Sequence, residues 1–187
     1  GDGLNTITAT NSTSDSTTYQ ITGGGDSDVI TAGRGAFTIS GNAGSSNAGE
    51  SDQIIIDTTA TANSTYLITG GVKSDIRLGL GSATVTGGTG NDTISAGAGS
   101  ATITGNGGND SVTLGSGVAN VTLGAGADTV VAGSGAAVIA VGTGANVITA
   151  INALADTTAY SITGGADSDT IRLGRGNFMV NGVGGSD

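Results

Sequence analysis

Eight aspartates, Asp28, Asp52, Asp75, Asp92, Asp110, Asp128, Asp169 and Asp187, fall at one position of a repeated glycine-rich motif, and Asn5 and Asn146 fill the same position elsewhere. From Asn5 to Asp187 the successive spacings are 23, 24, 23, 17, 18, 18, 18, 23 and 18 residues. These eight carboxylates are more than half of the 15 acidic side chains, so the acidic charge is concentrated in the motif. The chemistry they offer is that of a hard cation. Calcium takes about six to eight oxygens at roughly 2.3–2.6 Å, from carboxylates, amide oxygens and backbone carbonyls. A G-x-G-x-D turn supplies both kinds of oxygen, because its glycines let successive carbonyls face a common point. Asp28, Asp52, Asp75, Asp92, Asp110, Asp128, Asp169 and Asp187 are therefore candidate Ca²⁺ ligands, with Asn5 and Asn146 either ligands through their amide oxygens or structural turn residues.

The elements that must position these groups are legible from Leu78 to Thr149, where the chain reads as eight unbroken nine-residue units of the form x-G-x-G-x-(D/A/N)-x-U-x, U being aliphatic. A repeat of this kind signals a parallel β-solenoid. Asp92, Asp110 and Asp128 alternate with Ala83, Ala101, Ala119 and Ala137 at the sixth place. If two units make one coil, every Asp lies on one edge and every Ala on the other. The expectation is a one-sided metal ladder. Positions seven to nine, such as Thr93-Ile94-Ser95, read as short strands with the aliphatic residue inward. Ile7, Ile30, Ile54, Ile94, Val112, Val130, Ile148 and Ile171 form one inward row. Ile21, Ile39, Ile68, Val85, Ile103, Val121, Ile139, Ile162 and Val180 form the other. No helical period is present.

Departures from the 18-residue spacing have local readings. An insertion near Ser46–Ser51 lengthens one turn on the Asp edge, and one residue is missing after Asp75, where GGVKSD-IRL stands against GGADSDTIRL. On the opposite edge, long half-coils at 10–22, 56–69 and 150–163 replace the short Ala unit, each ending in Tyr-x-Ile-Thr-Gly-Gly through Tyr19, Tyr66 and Tyr160. About ten coils result, three of them bulged. A longer period overlies the short one: residues 1–46 align without a gap on 142–187 at an offset of 141, with about half the positions identical. The chain starts and stops in mid-unit without the polar caps that repeat stacks need. The expectation is one solenoid, 1–187, that is a window of a longer tandem array and self-associates with further copies or repeats.

Stacked carboxylates about 4.8 Å apart repel one another unless protons or cations intervene. The core is thin, roughly 1.5–3 kcal/mol for each buried Val or Ile, and the 37 glycines make ordering costly. Metal binding and folding are then coupled.

GGTGNDTIS (Gly87–Ser95) and GNGGNDSVT (Gly105–Thr113) closely resemble the nonapeptide of the repeats-in-toxin (RTX) family. The resemblance implies an all-β fold, a right-handed parallel β-solenoid (β-roll) with two nonapeptide half-turns per coil. It also implies an extracellular bacterial protein that folds on meeting external calcium, in a family that includes toxins, proteases, lipases, adhesins and surface-layer proteins. Typical β-rolls place Asp on both edges, whereas Ala occupies alternate units here. That one-sided pattern is more similar to the calcium-dependent solenoids of large bacterial ice-binding adhesins.

Other functions fit the composition less well. No His and no Cys are present, so common triads and zinc sites are excluded, and the G-x-G pairs lack the third Gly of a dinucleotide fingerprint. The chain reads as a non-enzyme. A formal charge of −10 argues against nucleic acid or anionic lipid as partner, and no apolar run is long enough to span a bilayer. Ice binding needs a regular Thr/Asn array, but turn positions three and five read Thr89/Asn91, Gly107/Asn109, Ala125/Ala127 and Thr143/Ala145. All five basic residues, Arg34, Lys73, Arg77, Arg172 and Arg175, follow a bulge Tyr within 15 residues. Two readings stand for these regions: local repair, with Tyr over Phe37 or Phe178 covering the hole under a bulge, or a lateral or glycan contact surface. The reading is an extracellular structural repeat for a fibre, surface layer or adhesin stalk, with an accessory β-roll of a secreted toxin or enzyme, or an ice-binding segment, as alternatives.

Overall fold

The computed structural model describes residues 3–10, 18–41, 50–57, 60–151 and 157–185. Eighteen strands, numbered in chain order, alternate between two sheets. The first sheet holds β1 (Thr6–Ala9), β3 (Val29–Ala32), β5 (Asp52–Ile56), β7 (Ser74–Arg77), β9 (Thr93–Ser95), β11 (Ser111–Thr113), β13 (Thr129–Val131), β15 (Val147–Ala150) and β17 (Thr170–Leu173). The second holds β2 (Thr18–Thr22), β4 (Ala36–Ser40), β6 (Thr65–Thr69), β8 (Ser82–Gly88), β10 (Ala101–Asn106), β12 (Ala119–Thr122), β14 (Ala137–Ala140), β16 (Ala159–Thr163) and β18 (Asn177–Asn181). Each strand pairs in parallel with the strand two places on, so one strand from each sheet makes a coil. The protein is a parallel β-solenoid, with nine coils among the described residues.

Side-chain alternation builds the interior. Ile30, Ile54, Ile76, Ile94, Val112, Val130 and Ile148 stand in register along the first sheet and are fully buried. Ile39, Ile68, Val85, Ile103, Val121, Ile139 and Ile162 do the same along the second. Val180 extends the second row on β18 but is 42% exposed, since no described strand covers it. With strands of three to seven residues, each coil adds only one aliphatic pair to this spine. The core is continuous along the axis and thin across it.

One predicted register changes. Asp75 does not join the Asp row: Ser74 pairs with Asp52, while Asp75 pairs with Gln53 and Thr93. The residue missing from this coil is lost in the turn before Ser74, not after Asp75. The core decides it. Because a strand turns successive side chains to opposite faces, a one-residue slip would move the whole strand inside out. Holding Ile76 between Ile54 and Ile94 puts Asp75 outward, where its carboxylate pairs with Arg77 at 2.8 Å.

The Ala edge is continued by aromatics. The row Tyr19, Phe37, Tyr66, Ala83, Ala101, Ala119, Ala137, Tyr160, Phe178 runs in register along the second sheet. Neighbouring rings stack at 5.0 Å (Tyr19–Phe37), 5.9 Å (Phe37–Tyr66) and 5.1 Å (Tyr160–Phe178). Phe37, Tyr66 and Tyr160 are buried, and the hydroxyls of Tyr66 and Tyr160 donate to the Gly33 and Gly133 carbonyls at 2.6 and 2.7 Å. These three rings are therefore packed into the edge rather than exposed on it. Of the long half-coils, residues 11–17, 58–59 and 152–156 lie outside the described residues, as do 42–49 around the Ser46–Ser51 insertion.

The 141-residue period is visible in the strands. Adding 141 to the bounds of β1, β2, β3 and β4 reproduces those of β15, β16, β17 and β18.

Candidate metal ladder

The turn from each second-sheet strand to the following first-sheet strand carries the candidate residues. Asp28, Asp52, Asp92, Asp110, Asp128, Asn146 and Asp169 are all buried at this one edge. They are inward-facing because each sits one strand-period before a core aliphatic residue, as Asp92 precedes Ile94. Glycine makes the room: a Cβ built on Gly23, Gly87 or Gly105 would collide with the carboxylate of Asp28, Asp92 or Asp110 respectively.

The carboxylates bind the coils to one another through the backbone. Oδ1 of Asp92 accepts from the Ser74 N–H at 2.7 Å, Oδ1 of Asp110 from Asp92 at 2.9 Å, and Oδ1 of Asp128 from Asp110 at 2.8 Å. Asn146 Oδ1 accepts from Asp128 at 2.9 Å, and Asp169 Oδ1 from Asn146 at 3.0 Å. In the first coils Asp28 accepts from Asn5 at 2.9 Å and Asp52 from Asp28 at 3.0 Å. The row is interrupted once among the described residues, at Ser74. There the Asp52 N–H donates to the Lys73 carbonyl instead, and the Ser74 hydroxyl oxygen accepts from Gly71. Asp187 lies outside the described residues.

The second oxygen is the unsatisfied one. Oδ2 of Asp28, Asp92, Asp110 and Asp128 is buried with no hydrogen-bond partner. An unpartnered buried carboxylate oxygen is costly unless a proton or cation reaches it. Burial accordingly pushes Asp92 up to about 7, helped by the neighbouring Asp110 charge, against a hydrogen bond from Ser74. Burial likewise pushes Asp52 and Asp110 up to about 6, with Asp28 and Glu50 adding to the first and Asp128 to the second. Asp128 is also raised, by burial.

Among the described residues no three or more acidic, His or Cys side chains cluster closely enough to hold a metal by themselves. Any ion here needs backbone oxygens. The turn provides them: the Asn146 amide shows which way they face, since its nitrogen reaches the carbonyls of Gly142 and Gly144 at 3.2 and 2.7 Å. These are the second and fourth places of the nonapeptide, the two glycine positions.

A family model for the RTX calcium-binding nonapeptide repeat matches four times, at residues 20–46, 86–118, 120–139 and 161–177, together just over half of the chain. The chain belongs to the RTX family. It is a calcium-binding β-roll. No curated protein matches it, nor does any solved structure. The RTX repeat is a structural calcium-binding element rather than a catalytic one. The residues present suit the ion: a hard cation wants oxygen donors, and this edge offers carboxylate oxygens without partners beside glycine carbonyls. When bound, calcium supplies the positive charge that the buried carboxylates lack. The other edge of the RTX roll presents Ala83, Ala101, Ala119 and Ala137 at the same motif place, all buried and unable to ligate. Sequence reasoning missed Ser74. A signal for it existed: Ser74 lies 18 residues before Asp92, the array spacing, whereas Asp75 lies 17 before it.

Proposed function

We propose that this RTX roll is a calcium-stapled structural segment of an extracellular fibre, surface layer or adhesin stalk. The observation that carries the reading is the single edge of buried carboxylates, four of them (Asp28, Asp92, Asp110 and Asp128) with an unpartnered Oδ2, along a solenoid with so thin a core. Asp28, Asp52, Asp92, Asp110, Asp128 and Asp169 are the proposed ligands through their inward carboxylates, and for Asp92, Asp110 and Asp128 the turn carbonyls at the second and fourth places of the repeat would complete the set. The 141-residue recurrence of four strands supports a tandem array of such segments, and a chain of identical coils suits a rigid spacer. RTX repeats are typical of secreted proteins, and millimolar calcium outside the cell would then set when the roll folds.

The test is far-UV circular dichroism of the chain in chelator, titrated with Ca²⁺ and separately with Mg²⁺. A calcium-specific transition from coil to β structure is expected, because magnesium demands a tighter, regular octahedron that a carbonyl-rich turn does not supply. Full β structure in chelator with unchanged melting on adding calcium sinks the staple.

A further inference from the structure

The two asparagines of the ladder differ from the aspartates in one atom, and that atom changes the site. In the Asn146 coil, Oδ1 is engaged by the Asp128 N–H at 2.9 Å, which orients the amide so that Nδ2 takes the place held by the unpartnered Oδ2 one coil earlier. Nδ2 donates to Gly142 O at 3.2 Å, to Gly144 O at 2.7 Å and to Oδ1 of Asp169 in the next coil at 2.9 Å. The Asn5 amide repeats two of these three contacts 141 residues earlier: Nδ2 donates to Gly3 O at 2.8 Å and to Asp28 Oδ1 at 2.8 Å. Two turn carbonyls and a carboxylate oxygen of the next coil are the kind of oxygen set a calcium ion would collect. Here an N–H₂ group already collects them.

We propose that Asn146 and Asn5 carry a built-in substitute for the cation, so that their coils bind no calcium and form metal-independent joints in the ladder. This rests on the calcium reading of the Asp coils above. It separates two classes of coil contact along one edge. At Asp92, Asp110 and Asp128 the inward oxygen needs an added positive partner; at Asn5 and Asn146 an N–H₂ group stands in that oxygen's place and donates to turn carbonyls and to Oδ1 of Asp28 and Asp169. With one such joint at each 141-residue offset, the array holds a fixed coil pair in every period from which calcium-driven ordering of the neighbouring coils can spread.

The experiment measures bound calcium per chain by equilibrium dialysis and metal analysis, and thermal melting in chelator, for the parent chain, Asn146→Asp and Asp128→Asn. Asn146→Asp is expected to bind one more ion than the parent and to melt lower in chelator. Asp128→Asn is expected to bind one fewer and to melt higher in chelator, because its new amide can donate to the Gly124 and Gly126 carbonyls. An unchanged ion count for a folded Asn146→Asp overturns the inference while leaving calcium at the Asp coils intact. Should Asn146→Asp not fold even in calcium, Asp128→Asn decides: a lower melting point in chelator or an unchanged ion count overturns it. A parent chain that binds no calcium at all fails the underlying reading instead.

Discussion

Asp92 donates its backbone N–H to Oδ1 of Asp110 at 2.9 Å, while Oδ2 of the same Asp110 carboxylate is buried without a partner. One oxygen of the side chain is thus a structural cross-coil acceptor, and the other waits for a positive charge. This division explains why the ladder is at once part of the fold and the place where the fold answers to solution conditions.

In chelator, that charge must come from protons. Asp52 and Asp110 are pushed up to about 6 and Asp92 to about 7, from an ordinary value of 3.8. Folded-state values above the unfolded ones mean that the folded chain holds the extra protons. Their stabilisation is complete below the ordinary carboxylate range and is lost as pH rises through about 6 to 7. The metal-free melting temperature is therefore expected to fall from pH 4 to pH 7. Calcium competes for the same oxygens, so its apparent affinity should weaken as pH drops from 7 to 5. Melting curves against pH, with and without calcium, check both signs.

Replacing the acceptor removes both roles. Asp110→Ala leaves the Asp92 N–H buried and unpaired, a cost of about 1–3 kcal/mol, and deletes one inward oxygen. The variant should melt lower in saturating calcium and bind less of it, measured by calorimetric titration.

Asp75 serves as the contrast. It faces outward and pairs with Arg77 across an exposed contact, which is worth about 0–1 kcal/mol. Asp75→Ala is expected to leave the calcium count unchanged and to shift denaturant midpoints only slightly. A lost ion would show that this coil binds metal through its outer face.

On the other edge, the aromatic stack replaces metal with packing. Tyr66→Phe removes the donor to the Gly33 carbonyl and should cost about 0.5–1.5 kcal/mol. Phe37→Ala opens a cavity between Tyr19 and Tyr66 and should cost about 3–5 kcal/mol. Equal losses in chelator and in calcium, read from urea unfolding of whatever remains folded, are expected, since neither residue touches the ladder.

The sequence by itself determined the coil. A nine-residue period with glycine at two fixed places and an aliphatic residue at the eighth leaves a parallel stack of short strands as the economical way to bury the aliphatic row. The Asp/Ala alternation assigned the edges, because an 18-residue coil returns every second unit to the same side. Tertiary structure decided what single-residue differences mean. Ser74 and Asp75 are adjacent, and only the demand that Ile76 stay between Ile54 and Ile94 chose which of them enters the ladder. Nor does a one-letter change from Asp to Asn reveal an amide's orientation. The Asp128 N–H, 18 residues away in sequence, turns the Asn146 amide nitrogen toward the glycine carbonyls, and that contact exists only once the coils are stacked.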